Sequence, residues 1–502
     1  MLPLSKDARP SEALSIQTAS PGSSVFDLPI QSAGPATARP KPPVIHTQIL
    51  EQHSQQESSP KSPKSRHSFV VISGGTGGNA ILCAAFENAC YVLPVSDDGG
   101  SSSEIIRVLG GPSIGDIRSR LVRLIPPAPP KSPLDAIRKL LAHRLPTHYS
   151  EQEAREEWRS IVEGRSSLWE GIPTDRKETI RGFLVYFESE LLKRAHKNFT
   201  FVNGSIGNYF IAAAQGFFRS LPSAIFLFSS ITNSQANILP VVVTNHTVTI
   251  AADLENGGRL VGQCEISHPV PMVTSEIPSI HLSNSAELSP LEEIDGMDSS
   301  MGLRRQNPRN VMFEPEKRDE YQPLSARISR LFYINAYGME IHPKPNPDYI
   351  ASLNTNDVLV YSCGSLWTSI IPCLAFRSVA SAIARSHTLK AKVLLLNSQN
   401  DRETDGYTAV DYIQALVNTL NSQYQAPSYG GLGNANTMYP ISAFITDLVY
   451  LRGGTVAVDV KKLTTLGVRC TEVIAEEGLV IPKFTPSVVQ QAMDKILARP
   501  RA

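Results

Sequence analysis

The sequence predicts an α/β chain built on a mostly parallel sheet with helices on both faces. Three observations carry that prediction. Phe69-Val70-Val71-Ile72 is a β-branched, apolar run, followed by four glycines in five positions, Gly74, Gly75, Gly77 and Gly78, and then by a helical run. Further short apolar runs alternate with segments of helical spacing, the pattern of parallel strands joined by crossover helices. Glycine-containing entries to helices occur at 73–79, 203–208 and 361–369. Such junctions at strand ends converge on one crevice in an open, Rossmann-like sheet.

The elements follow in order. Residues 1–66 are rich in Ser, Pro, Gln and Ala without apolar periodicity, so a disordered tail is expected. The α/β domain is expected over 67–498, and 69–125 form its opening β-α-β-α unit, with a second strand at 91–95. After Pro126-Pro127-Ala128-Pro129-Pro130, charged and apolar residues alternate at helical spacing over 132–144, 150–163 and 174–197. Residues 126–198 therefore read as a helical insertion, whose use is support packing or a lid. A helix follows at 209–218 and strands at 224–228 and 238–243. Runs 248–253 and 259–266 flank Glu255-Asn256-Gly257-Gly258 and read as a hairpin. Residues 269–326, rich in Ser, Pro and charge, are expected to be a flexible insertion. Strands are then predicted at 330–335, Val358–Tyr361, 393–397, 443–448 and 456–458, with helices at 367–386, 405–423, 461–466 and 486–497.

Composition excludes several classes of function. Lys+Arg and Asp+Glu balance at 47 each among 502 residues, which gives no general attraction to nucleic acid or an acidic membrane. No apolar run reaches the roughly 18–20 residues that span a bilayer. A charged-then-apolar leader pattern is missing at the start of the sequence. Six cysteines with no CxxC, and no Cys/His cluster at zinc spacing, fit free thiols in a reducing compartment. A cytoplasmic location is the expectation. The 11 histidines suggest neither a triad nor a zinc site.

The glycine loop suits a phosphate. Glycine leaves the backbone open to close approach, and the following helix adds free N–H groups and partial positive charge. Gly75-x-Gly77-x-x-Ala80 also fits a dinucleotide fingerprint, with Asp97 where that motif places its acid. A tight turn without ligand uses the same residues. Asp97-Asp98-Gly99-Gly100-Ser101-Ser102 is more specific, because adjacent carboxylates repel unless a cation or donors offset them. Mg²⁺ takes a few hard oxygens and keeps water and phosphate in its shell. A solvated turn with a serine N-cap is the plainer reading. In Gly115-Asp116-Ile117-Arg118, Arg118 can grip a phosphate with its planar fork. Alternatively, Arg118, Arg120 and Arg123 form one charged helix face. Asn203 to Asn208 open a helix, and Asn208 can offer its amide to a base, sugar or phosphate. Ser365 beside Cys363 is not a Gly-x-Ser-x-Gly elbow, so hydrolase chemistry is rejected. Glu403 to Tyr407 read as a helix start with Thr404 as its N-cap.

Taken together, GGTGGN (74–79), VSDDGGSSSEIIR (95–107), PSIGDIRSRL (112–121), NGSIGNYFIAA (203–213), ILPV (238–241), CGSLWTSIIP (363–372) and ETDGYTA (403–409) resemble the CofD/YvcK-like family. That family includes the 2-phospho-L-lactate transferases of deazaflavin coenzyme biosynthesis and a gluconeogenesis-factor branch that binds UDP-sugars. The Ser-Asp-Asp-Gly-Gly-Ser-Ser and Gly-Ser-Leu-Trp-Thr-Ser segments look closer to the second branch. Ser362-Cys363-Gly364-Ser365 stands where that branch commonly has Gly-Pro-Gly-Ser. The Ser/Pro-rich tail suggests a eukaryotic-type member.

The resemblance implies a nucleotide-type ligand at the carboxyl ends of the strands. Gly74, Gly75, Thr76, Gly77 and Asn79 would meet phosphate or nucleotide. Asp97 or Asp98 would hold Mg²⁺ or activate the attacking hydroxyl. Gly99, Ser101, Asp116, Arg118, Asn203, Asn208, Gly364, Ser365 and Thr368 would line the site. The implied activity is transfer of a phospho-group from a nucleotide-diphosphate-linked donor to an acceptor hydroxyl. The alternative is a non-catalytic, UDP-sugar-binding regulator of carbon metabolism or cell shape, and a weaker one is an NAD-binding oxidoreductase. The expected partner is a nucleotide-diphosphate or nucleotide-sugar small molecule, with a homodimer as an option. Neither nucleic acid nor membrane is expected.

Overall fold

The computed structural model describes residues 67–74, 84–86, 89–235, 237–268, 322–422, 438–475 and 481–499. The expectations for 1–66, and for all but the last five residues of 269–326, lie outside these segments. In chain order the strands are β1 (Phe69–Ile72), β2 (Cys90–Leu93), β3 (Asn237–Pro240), β4 (Thr249–Leu254), β5 (Arg259–Val261), β6 (Ile328–Ile334), β7 (Glu340–Ile341), β8 (Val358–Tyr361), β9 (Ala391–Leu395), β10 (Asp447–Leu451) and β11 (Arg469–Val473). Seven of them form one parallel sheet in the order β11-β10-β9-β8-β1-β2-β3. The chain starts at β1, runs outward through β2 and β3, then returns to β8 on the other side of β1. The carboxyl ends of β1 and β8 therefore flank the switch point where an open α/β sheet takes its ligand. Val70, Val71, Ile72 and all of β8 are fully buried. Burial of consecutive residues means that both faces of these strands are covered, which is why they read as unbroken apolar runs.

A smaller antiparallel sheet, β5-β4-β6-β7, follows the first half of the large one. It contains the expected 248–266 hairpin, but in the second arm only Arg259–Val261 are strand. Gln263–Ser267 turn into a short helix that carries Cys264 and Glu265 toward β2.

Helices α1 (Gly100–Leu109) and α2 (Gly115–Arg123) complete the opening unit. The 126–198 segment is helical, with α3 (Pro133–Ala142), α4 (Glu151–Val162) and α5 (Thr174–Leu192). Helix α4 is fixed by a capping box, in which Ser150 caps Glu153 and Glu153 answers the Ser150 amide. These helices pack against α6 (Ile206–Phe218) through aromatic rings. Trp158 of α4 lies 5.1 Å from Phe201 and 5.2 Å from Tyr209, and Phe187 of α5 stacks on Tyr209 at 4.7 Å. The insertion is thus the wall behind the Asn203–Asn208 loop. Trp158 is 2% exposed, so Trp158→Ala is expected to lose about 3–5 kcal/mol of stability in denaturant unfolding. A loss below about 1 kcal/mol would mean that this wall does not support the fold.

Three expectations are corrected. Residues 224–228 are not a strand but the middle of α7 (Leu221–Thr232), which Ser220 caps and Pro222 starts. Residues 456–458 form no strand; the outermost strand is β11, whose exposed Arg469 and Glu472 break up its apolar pattern. Thr404 caps no helix. Asp401 caps a single turn at Arg402–Thr404, and the helix begins at Ala409, where the Thr408 side chain and Asp411 bond each other's amides. The described cysteines, all but Cys83, are free thiols. Among the described residues no single helix is long and apolar enough to cross a membrane.

Candidate functional site

The exits of β1 and β8 lie against each other. A Cβ on Gly74 would sit 3.0 Å from Ser369 Cβ and 3.1 Å from Pro94 Cγ, and one on Gly364 would be 3.8 Å from the Gly74 carbonyl oxygen. Gly74 therefore lets the two loops approach. Its expected companions Gly75, Thr76, Gly77 and Asn79 lie outside the described residues. Arg120 holds this exit in place. It is fully buried, donates from Nη2 to Ser73 Oγ at 2.5 Å and lies over the Tyr91 ring at 4.5 Å. The reading of Arg118, Arg120 and Arg123 as one charged face is corrected accordingly, since only Arg123 is exposed.

The chain leaving β2 presents Asp97 and Asp98, whose side chains engage different neighbours. Asp97 Oδ1 accepts from the Gly99 amide at 3.0 Å. Its Oδ2 faces the start of α2, where a Cβ on Gly115 would come within 2.6 Å. Burial first, then the charge of Asp116, raise the Asp97 pKa well above the usual carboxylate range; Asp98 adds to the shift, and the Gly99 amide and Arg144 oppose it. Asp98 turns toward the antiparallel sheet, where its Oδ1 accepts from the Cys264 amide at 2.9 Å. Gly262, at φ +91°, packs its backbone directly on Asp98 Oδ2. Burial raises the Asp98 pKa, and hydrogen bonds from Cys264 moderate the rise. Among the described residues, no group of three or more His, Cys, Asp or Glu side chains is arranged to hold a metal ion.

The second helix entry joins the same site. Asn208 Nδ2 donates to Ser101 Oγ at 2.8 Å, and Asn208 Oδ1 accepts from Arg118 Nε at 3.2 Å. Ser101, Arg118 and Asn208 are thus one connected chain of contacts. Helix α1 begins after Gly99 without a side-chain cap, so its first amides point into this region. Asn203, at φ +58°, turns the chain into the loop.

Gly364 and Ser365 line the exit of β8, with the Gly364 carbonyl held by Asn397 Nδ2 at 2.9 Å. Thr368 is buried, and its hydroxyl is committed to Glu403 Oε1 at 2.5 Å. Glu403 also accepts from the Trp367 and Thr368 amides. Burial, with the charge of Asp401, raises the Glu403 pKa to about 8. Glu403 is the anchor of the Ser365–Thr368 loop, a role that 403–407 does not reveal when it reads as a helix start.

Comparison with known proteins agrees with this architecture. Residues 69–473 match the family model described as 2-phospho-L-lactate transferase CofD. An uncharacterised protein of Saccharomyces cerevisiae is 36% identical over 436 residues, covering 82% of this chain and 96% of its own. A gluconeogenesis factor of Halalkalibacterium halodurans is 22% identical, covering 70% of this chain and 73% of its own. The crystal structure of a UPF0052-family protein from Bacillus halodurans superposes with a TM-score of 0.51 at 18% identity, over 86% of this chain and 99% of that one. The chain belongs to the CofD family.

Proposed function

We propose that the chain is a transferase that moves a phospho-group from a nucleotide-diphosphate-linked donor to an acceptor hydroxyl, with Mg²⁺ bound at Asp97 and Asp98. The observation that carries this reading is the burial of Asp97 against the start of α2, where Asp116 follows Gly115, beside the uncapped start of α1. Buried carboxylates are relieved by a cation, and uncapped helix amides by an anion. A Mg²⁺–diphosphate supplies both. The ion takes one or two protein carboxylates and fills its shell with phosphate oxygens and water, so a complete protein cage is not required. Bound there, it would neutralise the diphosphate charge.

In the reaction, the acceptor oxygen bonds to the distal phosphorus and the phosphoanhydride P–O bond breaks. A nucleoside monophosphate leaves, and the hydroxyl proton passes to the carboxylate cluster. Such transfer depends on positioning and charge neutralisation more than on a nucleophilic side chain. Arg118, Asn208 and Ser101 would orient phosphate oxygens, and the exits of β1 and β8 would receive the nucleotide.

The test is release of nucleoside monophosphate from a panel of nucleoside-diphosphate-linked donors. Asp98→Asn is expected to remove turnover and leave the fold intact, because an asparagine Oδ1 still accepts from the Cys264 amide. Unchanged turnover in that variant defeats the metal role. The name of the bacterial relative, gluconeogenesis factor, favours a second reading, in which the same crevice binds a UDP-sugar and does no chemistry. Stabilisation by UDP-sugars without turnover of any donor selects that one.

A further inference from the structure

Arg144 belongs to none of the motifs above. It follows α3, and its backbone pairs with Ser205 in an isolated antiparallel bridge. The Leu145 amide donates to the Gly204 carbonyl, and the Ile206 amide to the His143 carbonyl. This stitch draws a residue of the helical insertion into the crevice. Arg144 Nη1 donates to the Asn203 carbonyl at 2.7 Å and to Asn203 Oδ1 at 3.2 Å. The same nitrogen would lie 3.9 Å from a Cβ on Gly100, at the start of α1.

Arg118 reaches the crevice from α2, close enough for the charge of Arg144 to act on it. The Arg118 pKa is lowered to about 10, by burial first and then by the charge of Arg144. Arg118 donates to the neutral Asn208, and Asp97 is the acid whose charge favours the Arg144 cation. Two half-buried cations that face a single acid, Asp97, keep a net positive charge that a ligand anion can meet. Other donors nearby are also unspent. Asn203 is 2% exposed, and its Nδ2 has no hydrogen-bond partner among the described residues. The uncapped amides of α1 open beside them.

We propose that Arg118 and Arg144, with the start of α1, form an anion subsite for a phosphate or carboxylate carried by the ligand, and that the helical insertion serves to supply Arg144. The proposal deepens the nucleotide-diphosphate reading but does not depend on Mg²⁺. A planar guanidinium pair suits a fork of two oxygens, so a dianion of phosphate or dicarboxylate type is the ligand class. Arg144 is a binding residue here, and its location in the insertion makes that segment a determinant of which ligand is taken.

The test uses the full chain, titrated calorimetrically without metal with inorganic phosphate and with oxalate, and separately with UDP and GDP in the presence of Mg²⁺. Wild-type protein is expected to bind at least one of the two small dianions. Arg144→Gln is expected to weaken that binding by about ten-fold or more, and Arg144→Lys to recover part of it. Circular dichroism of both variants separates loss of the site from loss of the fold. If Arg144→Gln does not fold, Arg144→Lys carries the test, with weaker binding expected because the planar fork is lost. No binding of either dianion by wild-type protein overturns the subsite, as does equal binding by wild-type and both variants. Arg144-dependent binding of dianions with no response to UDP or GDP keeps the subsite and removes the nucleotide reading.

Discussion

Asp97→Asn is expected to abolish metal-dependent ligand binding and, at the same time, to stabilise the ligand-free protein at alkaline pH. Burial and the neighbouring Asp116 raise the Asp97 pKa from 3.8 to about 8. The folded state therefore holds a proton that the unfolded state releases near pH 4. Between these values the native protein binds more protons than the unfolded chain, so stability falls as pH rises through the window. An asparagine keeps the Oδ1 acceptor for the Gly99 amide and removes the charge. The Tm difference between variant and wild type should be small near pH 4 and grow in favour of the variant up to about pH 8. In wild-type protein, a divalent cation competes with that proton, so apparent metal affinity should rise with pH and level off above about 8. A variant less stable than wild type at pH 8.5 contradicts this description of the carboxylate cluster.

Gly204→Ala is expected to be among the most damaging single substitutions in the second helix entry. The new Cβ would overlap Tyr209 Oη, lie 2.6 Å from Tyr209 Cζ and 2.8 Å from the Phe201 carbonyl oxygen. Tyr209 cannot step aside, because Trp158, Phe187, Phe199 and Phe201 surround its ring at centroid distances of 4.7–6.0 Å. The loop must move instead, taking Asn203 and the Arg144 contact with it. A loss of about 3 kcal/mol or more in denaturant unfolding is expected. Gly182→Ala is the control. Gly182 is an exposed helical glycine with nothing within 4 Å of its would-be Cβ, and alanine there should stabilise by up to about 1 kcal/mol. Equal effects from the two substitutions would remove the steric argument.

The central strands were legible because parallel strands covered on both faces are unbroken apolar runs, as Val358–Tyr361 shows. Periodicity fails where an apolar run is too short to show a period. The run 224–228 has no alternation in either direction, and the decisive signals, the Ser220 cap and Pro222, lie just before it. Strand β11 went unseen for the opposite reason, since an edge strand mixes buried and exposed residues. In the site, Asp97, Asp98, Ser101, Arg118 and Asn208 were readable from local motifs whose chemistry is unusual for a turn. Arg120, Arg144, Cys264 and Glu403 were not. Each acts on a residue 35 or more positions away, as in Arg120 to Ser73, Arg144 to Asn203, Cys264 to Asp98 and Glu403 to Thr368. Spacing along the chain carries no trace of such contacts; only the fold brings them together.

We propose that the crevice between the β1 and β8 exits, with the carboxylates after β2, receives a nucleotide diphosphate together with a divalent cation. A thermal-shift panel on the full chain tests this most directly, using UDP-sugars, GDP, GTP, NAD and NADP, each with and without Mg²⁺. A rise in Tm with a nucleoside-diphosphate ligand that needs Mg²⁺ in wild-type protein, and is lost in Asp97→Asn, is the predicted result. Stabilisation by NAD or NADP alone, indifferent to Mg²⁺ and retained in Asp97→Asn, would contradict it.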